Sequence, residues 1–250
     1  MTDPPYNVGC VGKTKKKLTV ANDSQADDKF RTFLVTSFKA ALEHVKPGGS
    51  FYIWHADSEG FNFRGAIHDC DERVRQCLIW KKQTLVMGRQ DYHWIHEPCL
   101  YGWKDGAAHG WYSDRKQVTV LEFDRPLQSR EHPTMKPVAL FAYQIGNNTA
   151  PQGLIIDTFL GSGTTIIAAQ QLGRRCFGME LSPGYCDVIV KRWEEFTGKK
   201  ATRTSQLDDS PAPPKKKAAR KKPAKRKRLA IPLKKKTKKR PAKKQLQASK

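Results

Sequence analysis

The chain has 250 residues and a formal net charge of +22, from 46 Lys and Arg side chains against 24 Asp and Glu. Residues 201–250 hold 20 of the basic and 2 of the acidic side chains, which leaves residues 1–200 close to neutral at +4. No apolar run approaches ~18 residues, which excludes a membrane-spanning helix. Six cysteines without a CxxC pair, and no signal peptide, predict a cytoplasmic protein without zinc or disulfides.

The chain begins with alternating predicted helices and strands. Apolar side chains at three- and four-residue steps predict a helix that begins near Asp27 and stops at Lys46-Pro47. The run Phe51–Trp54 predicts a buried strand, a helix follows from about Asn62 to Gln76, and Cys77–Trp80 predicts a second strand. This alternation is typical of a parallel sheet.

Residues 82–130 differ in composition, being rich in His, Trp, Tyr, Gly and charge. Only Val118–Phe123 is strand-like, so the segment is predicted to form loops or a small insertion. The alternation then resumes to Thr197. It comprises the helix Pro137–Asn147, the strand Leu154–Ile156, the helix Thr164–Leu172, the strand Cys176–Met179 and the helix Pro183–Thr197.

Two units are therefore predicted, a folded domain over residues 1–200 and a tail over residues 201–250. The tail is rich in Lys, Arg, Ala and Pro and has almost no aromatic or β-branched residues. Such a segment buries too little apolar surface to offset the entropy of ordering, so it is predicted to be disordered.

A glycine turn between Leu154 and Thr165 is the first motif with chemical content. An apolar strand ends at Asp157, and Gly161 and Gly163 precede a helix, which lets a ligand approach the backbone at the open end of a parallel sheet. Glu180 ends the next strand and is placed to accept hydrogen bonds from ribose hydroxyls. The sequence lacks the dinucleotide-binding motif GxGxxG and the triphosphate-binding motif GK[ST]. The pattern therefore predicts that the ligand is a nucleoside without a pyrophosphate. A purely structural turn stays open.

Two proline motifs accompany the glycine turn. In Asp3-Pro4-Pro5-Tyr6, the carboxylate and the Pro4 carbonyl are two acceptors for an exocyclic amino group, and Tyr6 offers a flat face to a base. The second motif runs from His132 to Pro137, as His-Pro-Thr-Met-Lys-Pro. Taken singly, each has a structural reading, the first as a Pro-Pro turn and the second as a rigid turn that starts a helix.

Together, in this order, the three motifs resemble those of DNA amino-methyltransferases that use S-adenosylmethionine, in the permuted β class. The resemblance covers Thr2 to about Ala201, and the segment Leu78–Trp103 is similar to phage-type or prophage-type modification methylases. It implies a Rossmann-like α/β sheet with helices on both faces, double-stranded DNA as partner, and a bacterial or phage-infected cell. No metal is needed, and a homodimer stays open.

The resemblance also implies roles for individual residues. Asp3, Pro4, Pro5 and Tyr6 would form the catalytic motif that holds and stacks on a flipped base. Asp157 would lie near the methionine end of the cofactor, and Glu180 would hold its ribose. The residues implied in cofactor binding are Asp157, Phe159, Gly161, Gly163, Thr164, Glu180, Thr134 and Lys136.

The same resemblance favours the N6 amine of adenine as methyl acceptor, because cytosine-N4 enzymes of the family usually carry Ser where this chain has Asp3. Cytosine N4 stays open, since both bases present an exocyclic amine. Methylation of RNA or of a protein amide is disfavoured by the DNA-methylase-like middle segment.

DNA contacts are predicted at three places. One is the loop after the catalytic motif, which is equally readable as a solvated loop. Another is the aromatic and basic segment 82–130, the region in which enzymes of this class have their target recognition elements. The alternative interpretation is an insertion whose aromatic side chains pack in the core. A metal site at His93, His96 and His109 is disfavoured. The third is the tail, which binds phosphates by charge or serves in nuclear localisation or at a membrane surface. The named residues are Lys13, Lys15, Lys16, Lys17, Arg89, Lys215, Lys216, Lys217, Lys225 and Arg226.

One departure from the family pattern concerns the N-terminus. The family places a buried strand directly before the catalytic loop, whereas only Met1 and Thr2 precede Asp3 here. A sheet without that strand would have unpaired edges. The sequence therefore predicts an N-terminal segment or companion polypeptide outside this chain, and poor solubility or activity without it. The rival interpretation is a non-catalytic DNA-binding remnant.

Overall fold

A computed structural model of the protein describes residues 1–9, 23–87, 90–124 and 135–203. The helices in these ranges are α1 Asp27–Glu43, α2 Gly60–His68, α3 Val138–Asn148, α4 Thr164–Gln171 and α5 Pro183–Thr197. The strands are β1 Ser50–Trp54, β2 Val74–Val86, β3 Trp94–Trp103, β4 Val120–Glu122, β5 Leu154–Asp157 and β6 Arg175–Gly178. Within this described part, no helix is long and apolar enough to span a membrane.

Most predicted elements are confirmed, and the second helix is shorter than expected. Helix α1 carries acidic side chains in its first turn, which favour the positive end of the helix dipole, and it buries Phe30, Leu34 and Phe38. Helix α2 ends at His68 instead of continuing to Gln76. The chain then turns through Asp71, whose φ of 59° is left-handed and incompatible with a continuing helix.

Residues 82–130 are predicted to form loops or a small insertion, with a strand only at Val118–Phe123; their first part forms a strand hairpin instead of loops. Strand β3 occupies ten residues and lies antiparallel between β1 and β2 in a four-stranded sheet of order β1-β3-β2-β4. The two neighbours of β3 therefore run parallel to each other, and β4 pairs parallel with β2. Alternation of helices and strands indicated the parallel strands but not the hairpin that inserts between them.

Strands β5 and β6 form a separate parallel pair, and the first two residues of the chain lie between β5 and β1. Thr2 forms a single parallel bridge with Ile53, and its N–H donates to the Tyr52 carbonyl at 2.9 Å. The Met1 amino group donates to the Ile156 carbonyl at 3.2 Å. Asp3 therefore follows directly from a segment that joins the edge strand β1 of one sheet to the strand β5 of the other.

Helices cover both faces of this arrangement, as predicted. On one face, α3 and α4 pack in a cluster that includes Trp54, Trp80 and Phe141. On the other, α1 and α2 pack in a cluster that includes Phe30 and Phe63. Tyr6 packs against both clusters, so the catalytic motif predicted from the sequence is anchored in the core on each side.

Candidate active site

One cavity of about 750 Å³ brings together two of the motifs identified in the sequence and the lysine of the third. It opens at the carboxyl ends of β5 and β6, where ligands bind in parallel sheets. Its wall includes the predicted site residues Asp3, Pro4, Pro5, Tyr6, Lys136, Asp157, Phe159, Gly161, Thr164 and Glu180. Side chains that the sequence did not single out complete the wall, among them Asp23, Met179, Leu181 and Tyr185.

The carboxylate of Asp157 fixes the turn after β5. It accepts hydrogen bonds from the Phe159 N–H at 3.0 Å and from the Thr165 hydroxyl at 2.5 Å, the latter in the first turn of α4. Asp157 is buried, and this burial raises its pKa above the ordinary value. The bonds tie the end of β5 to the start of α4, so the cavity wall between them is held in one shape.

Glu180 is held in place from both sides. One carboxylate oxygen accepts from the Gly161 N–H and the other from the Ser182 N–H, each at 2.8 Å. Because each carboxylate oxygen has two lone pairs, Glu180 keeps capacity to accept further hydrogen bonds. Phe159 and Met179 contribute apolar wall beside it. A fixed acid beside apolar side chains suits the ribose and base of a nucleoside.

Gly163 has a different place from the one predicted. It is absent from the described cavity wall and is the N-cap of α4, with a left-handed φ of 81°. A Cβ on Gly163 would lie 3.0 Å from Cγ1 and 3.1 Å from Cγ2 of Ile189 in α5. Gly163 is therefore required by backbone conformation and by helix packing, whereas Gly161 lies at the cavity wall.

The predicted catalytic motif Asp3–Tyr6 is held in place by hydrogen bonds to Asp23 and by those between the adjacent Asn7 and Gln25. The Tyr6 N–H donates to the Asp23 carboxylate at 3.0 Å, and Asp23 is buried. Asn7 and Gln25 exchange two further bonds across the same gap, at 2.6 and 3.1 Å. Pro4 is buried and Asp3 is part-exposed to the cavity. The chain thus presents the Asp3 side chain on a rigid loop.

Lys136 lies at the centre of the site and contacts the catalytic motif directly. Its Nζ lies 2.7 Å from Asp3 Oδ2, 2.8 Å from the Tyr6 hydroxyl and 3.0 Å from Glu97 Oε2. The Tyr6 hydroxyl donates to Asp3 Oδ1 at 2.5 Å. The Lys136 side chain is 3% exposed. Sequence analysis predicted Lys136 as a cofactor contact; it lies at the cavity wall, but its ammonium group is directed at Asp3.

Two functional candidates were missed, both on the β2–β3 hairpin. Glu97 lies between Lys136 and Lys82, and Lys82 Nζ is 2.6 Å from Glu97 Oε1. Burial works to raise the pKa of Glu97, but Lys136 and Lys82 outweigh it and lower that pKa to about 2. Burial lowers the pKa of Lys136, and Asp3 and Glu97 reverse this to a net increase. The only sequence signal for Glu97 as a site residue was that it is a single acidic side chain just before the apolar run Cys99–Tyr101.

Several predicted residues lie outside the described ranges, and their roles stay predictions. They are Lys13, Lys15, Lys16, Lys17, Arg89, Thr134, Lys215, Lys216, Lys217, Lys225 and Arg226. Among the residues that the structure describes, no group of three or more His, Cys, Asp and Glu side chains is arranged to hold a metal ion. His93, His96 and His109 all lie within this described part of the chain.

Comparison with known proteins agrees with the site. Residues 1–191 match the N6_N4_Mtase family model, described as DNA methylase. The chain is 46% identical to the putative methylase YubD of Escherichia coli K12, over 74% of this chain and 76% of that protein. It is 25% identical to the type II methyltransferase M2.DpnII of Streptococcus pneumoniae, over 77% and 80%.

Solved structures show the same fold. The M1.HpyAVI–SAM complex is 25% identical with a TM-score of 0.57, covering 76% of this chain and 86% of that one. The cytosine-N4-specific PvuII DNA methyltransferase is 16% identical with a TM-score of 0.62, covering 79% and 82%. These likenesses confirm the Rossmann-like methyltransferase fold. Because the family model matches residues 1–191, and the Asp3–Tyr6 and glycine motifs line one cavity, the chain belongs to the N6_N4_Mtase family of DNA methylases.

Proposed function

We propose that this chain transfers a methyl group from S-adenosylmethionine to the exocyclic N6 amine of adenine in double-stranded DNA. The observation that carries the proposal is that the Asp3 carboxylate and the nucleoside-type wall formed by Phe159, Gly161 and Glu180 line one cavity. Methyl transfer requires acceptor and donor in contact, and a shared cavity provides this.

The cavity fits S-adenosylmethionine in size and chemistry. Glu180 has free acceptor capacity for the ribose hydroxyls, and Phe159, Met179 and Leu181 supply apolar contacts for a base. The bound cofactor supplies an electrophilic methyl group, so the protein needs to position the acceptor more than to activate it. A solved relative in the same family fold is a SAM complex, which supports this choice.

Asp3 performs the positioning. A target base must leave the duplex to reach the cavity, at a cost of a few kcal/mol. Although Lys136 and Tyr6 each donate to Asp3, its oxygens retain lone pairs for an amino hydrogen. The Asp3 carboxylate then orients the amine nitrogen and offsets the positive charge that develops on it. Tyr6, whose ring stands nearly perpendicular to that of Phe63 and lines the cavity, would stack on the base.

Adenine is the preferred acceptor because the first position of the motif is Asp3, as in the adenine enzymes that the chain resembles. The second candidate is cytosine N4. It is supported by the family, whose name covers both amines, and by the fold shared with a cytosine-N4-specific enzyme. The pocket chemistry is common to both, since each base presents an amine to one carboxylate.

DNA recognition is proposed for the hairpin of β2 and β3 and for the tail. The hairpin end exposes Met87 and Tyr92 to 76% and 91%, while its base carries Lys82 and Glu97 beside the catalytic motif. Such a two-stranded ribbon is of a size that a DNA major groove accepts. The basic residues after Arg203 would add affinity for phosphates without selecting a sequence.

The test is methyl transfer from labelled S-adenosylmethionine to unmethylated DNA, followed by mass spectrometry of the nucleosides. We expect N6-methyladenine, and loss of the label with Asp3→Ala. Asp28→Ala removes a carboxylate from the exposed first turn of α1 and serves as the matched control, with parental activity expected. Detection of N4-methylcytosine instead would select the second candidate, and undiminished transfer by Asp3→Ala would contradict the role of Asp3.

A further inference from the structure

We propose that Glu97 is a positioning residue for methyl transfer, which shares the Lys136 ammonium group with Asp3 and thereby holds it against the catalytic carboxylate. The proposal rests on the proposed function. It concerns a residue on strand β3, far in sequence from each of the three motifs.

The geometry makes Glu97 act through Lys136. Lys136 Nζ lies between two carboxylates, 2.7 Å from Asp3 Oδ2 and 3.0 Å from Glu97 Oε2. Glu97 is not part of the described cavity wall, whereas Asp3 and Lys136 both are. Its other oxygen is held by Lys82 at 2.6 Å. Glu97 also accepts a long hydrogen bond from the Tyr6 hydroxyl at 3.4 Å, so it is fixed in place and acts on the reacting amine through Lys136, Asp3 and Tyr6.

Charge balance explains why a second carboxylate is needed. Two ammonium groups, Lys82 and Lys136, and two carboxylates, Glu97 and Asp3, form a neutral set that is largely buried. Removal of Glu97 leaves two positive groups beside one carboxylate. Positive charge develops on the target amine during methyl transfer, and an excess of positive charge nearby opposes it. Glu97 offsets that repulsion while leaving Asp3 free to face the cavity.

Lys136 also needs Glu97 to stay protonated. The groups that face its ammonium are Asp3 and Tyr6 from the N-terminal segment, Glu97 from β3 and the Trp54 ring from β1. Lys82 of β2 lies behind Glu97. Burial favours neutral Lys136, and the two carboxylates overcome it. Without Glu97, desolvation is opposed by Asp3 alone, so Lys136 should lose its proton at a lower pH and release Asp3.

The experiment compares Glu97→Gln and Glu97→Asp with the unsubstituted chain. Single-turnover methyl transfer is measured across pH, together with S-adenosylmethionine affinity. In parallel, acetylation of Lys136 by acetic anhydride is followed by mass spectrometry as a function of pH. We expect Glu97→Gln to slow transfer by about tenfold or more, equivalent to a barrier increase of about 1.4 kcal/mol. In this variant, the decline of the transfer rate at high pH and the onset of Lys136 acetylation should both occur at a lower pH than in the parent. The affinity for S-adenosylmethionine should be unchanged.

Glu97→Asp should recover most of the rate and of the pH profile, because it restores the charge. Lys191→Met, which removes an exposed ion pair with Glu195 on helix α5, is the control and should behave as the parent. If Glu97→Gln does not fold, the double variant Lys82→Met/Glu97→Gln removes the buried pair together. It leaves the remaining Lys136–Asp3 pair neutral but still deprives Lys136 of its second carboxylate, so the shifted pH profile is expected together with a smaller loss of rate.

Parental rate, pH profile and Lys136 acetylation in Glu97→Gln, or in the folded double variant, would overturn the positioning role. Loss of cofactor affinity in step with rate would overturn it as well, since the effect would then be on the fold of the cavity. No transfer by the unsubstituted chain would instead overturn the proposed function, and this role with it. The two failures are therefore told apart by the activity of the parent.

Discussion

Replacement of Lys136 by Met tests how strongly the site depends on its central charge. Lys136 is 3% exposed and lies within 3.0 Å of two carboxylates, so Lys136→Met leaves Asp3 and Glu97 facing each other without the charge between them. The pKa of Glu97 is lowered from an ordinary 4.5 to about 2. That difference, to which Lys136 and Lys82 both contribute, corresponds to about 3 kcal/mol of stability at neutral pH, so the loss of Lys136 alone should cost a large part of it.

The loss of stability in Lys136→Met should depend on pH in a direction set by the Glu97 pKa shift. A carboxyl whose pKa is lower in the folded state contributes stability that is present above its unfolded pKa and is lost as the pH falls through its folded pKa. For Glu97 that window runs from about 4.5 down to about 2. The deficit of Lys136→Met should therefore be constant above about pH 5 and shrink by about 1 kcal/mol by pH 3.5.

The measurement is urea denaturation at pH 7, 5 and 3.5, with the parent and with Lys81→Met as the control. Lys81 forms an exposed pair with Glu122, for which we expect a loss of about 0–1 kcal/mol at any of these pH values. A Lys136→Met deficit below about 1 kcal/mol at pH 7, or one that grows as the pH falls, would refute the assignment of a buried carboxylate–ammonium cluster.

Two further predictions concern the ligands. Glu180→Gln should weaken S-adenosylmethionine binding about tenfold in calorimetry, because an amide is a poorer acceptor for ribose hydroxyls. Asp3→Ala should change this affinity about twofold at most. Equal losses in both variants would contradict the assignment of Glu180 to the cofactor and of Asp3 to the base. Deletion of the residues after Ser205 should weaken DNA binding and flatten its salt dependence, since it removes most of the basic excess, while the methylated sequence stays the same. Methylation of a different sequence by the shortened chain would argue against a nonspecific tail.

Local pattern was sufficient where one element carries its own signal. Helix α5 has the predicted bounds Pro183–Thr197, with Pro at its first position and left-handed Gly198 as its C-cap. Strand β5 and its glycine turn were likewise predicted, because an apolar run and the glycines after it depend on near neighbours in sequence. The hairpin of β2 and β3 was not predicted, since its pairing joins residues whose composition resembles that of loops.

The sequence by itself determined the family-level chemistry of this protein: the order of the motifs, the acid Asp3 and the acid Glu180 are local patterns that indicate an amino-methyltransferase. Tertiary structure decided which charges meet. Lys136 stands 133 residues from Asp3 in the chain, and Glu97 lies on a strand inserted between two others, yet the three form one buried cluster. Ion pairs of this kind depend on how sheets and loops pack, so they cannot be predicted from the spacing of residues along the chain. The fold therefore places the Lys136 ammonium group beside the Asp3 carboxylate and packs Gly163 against helix α5.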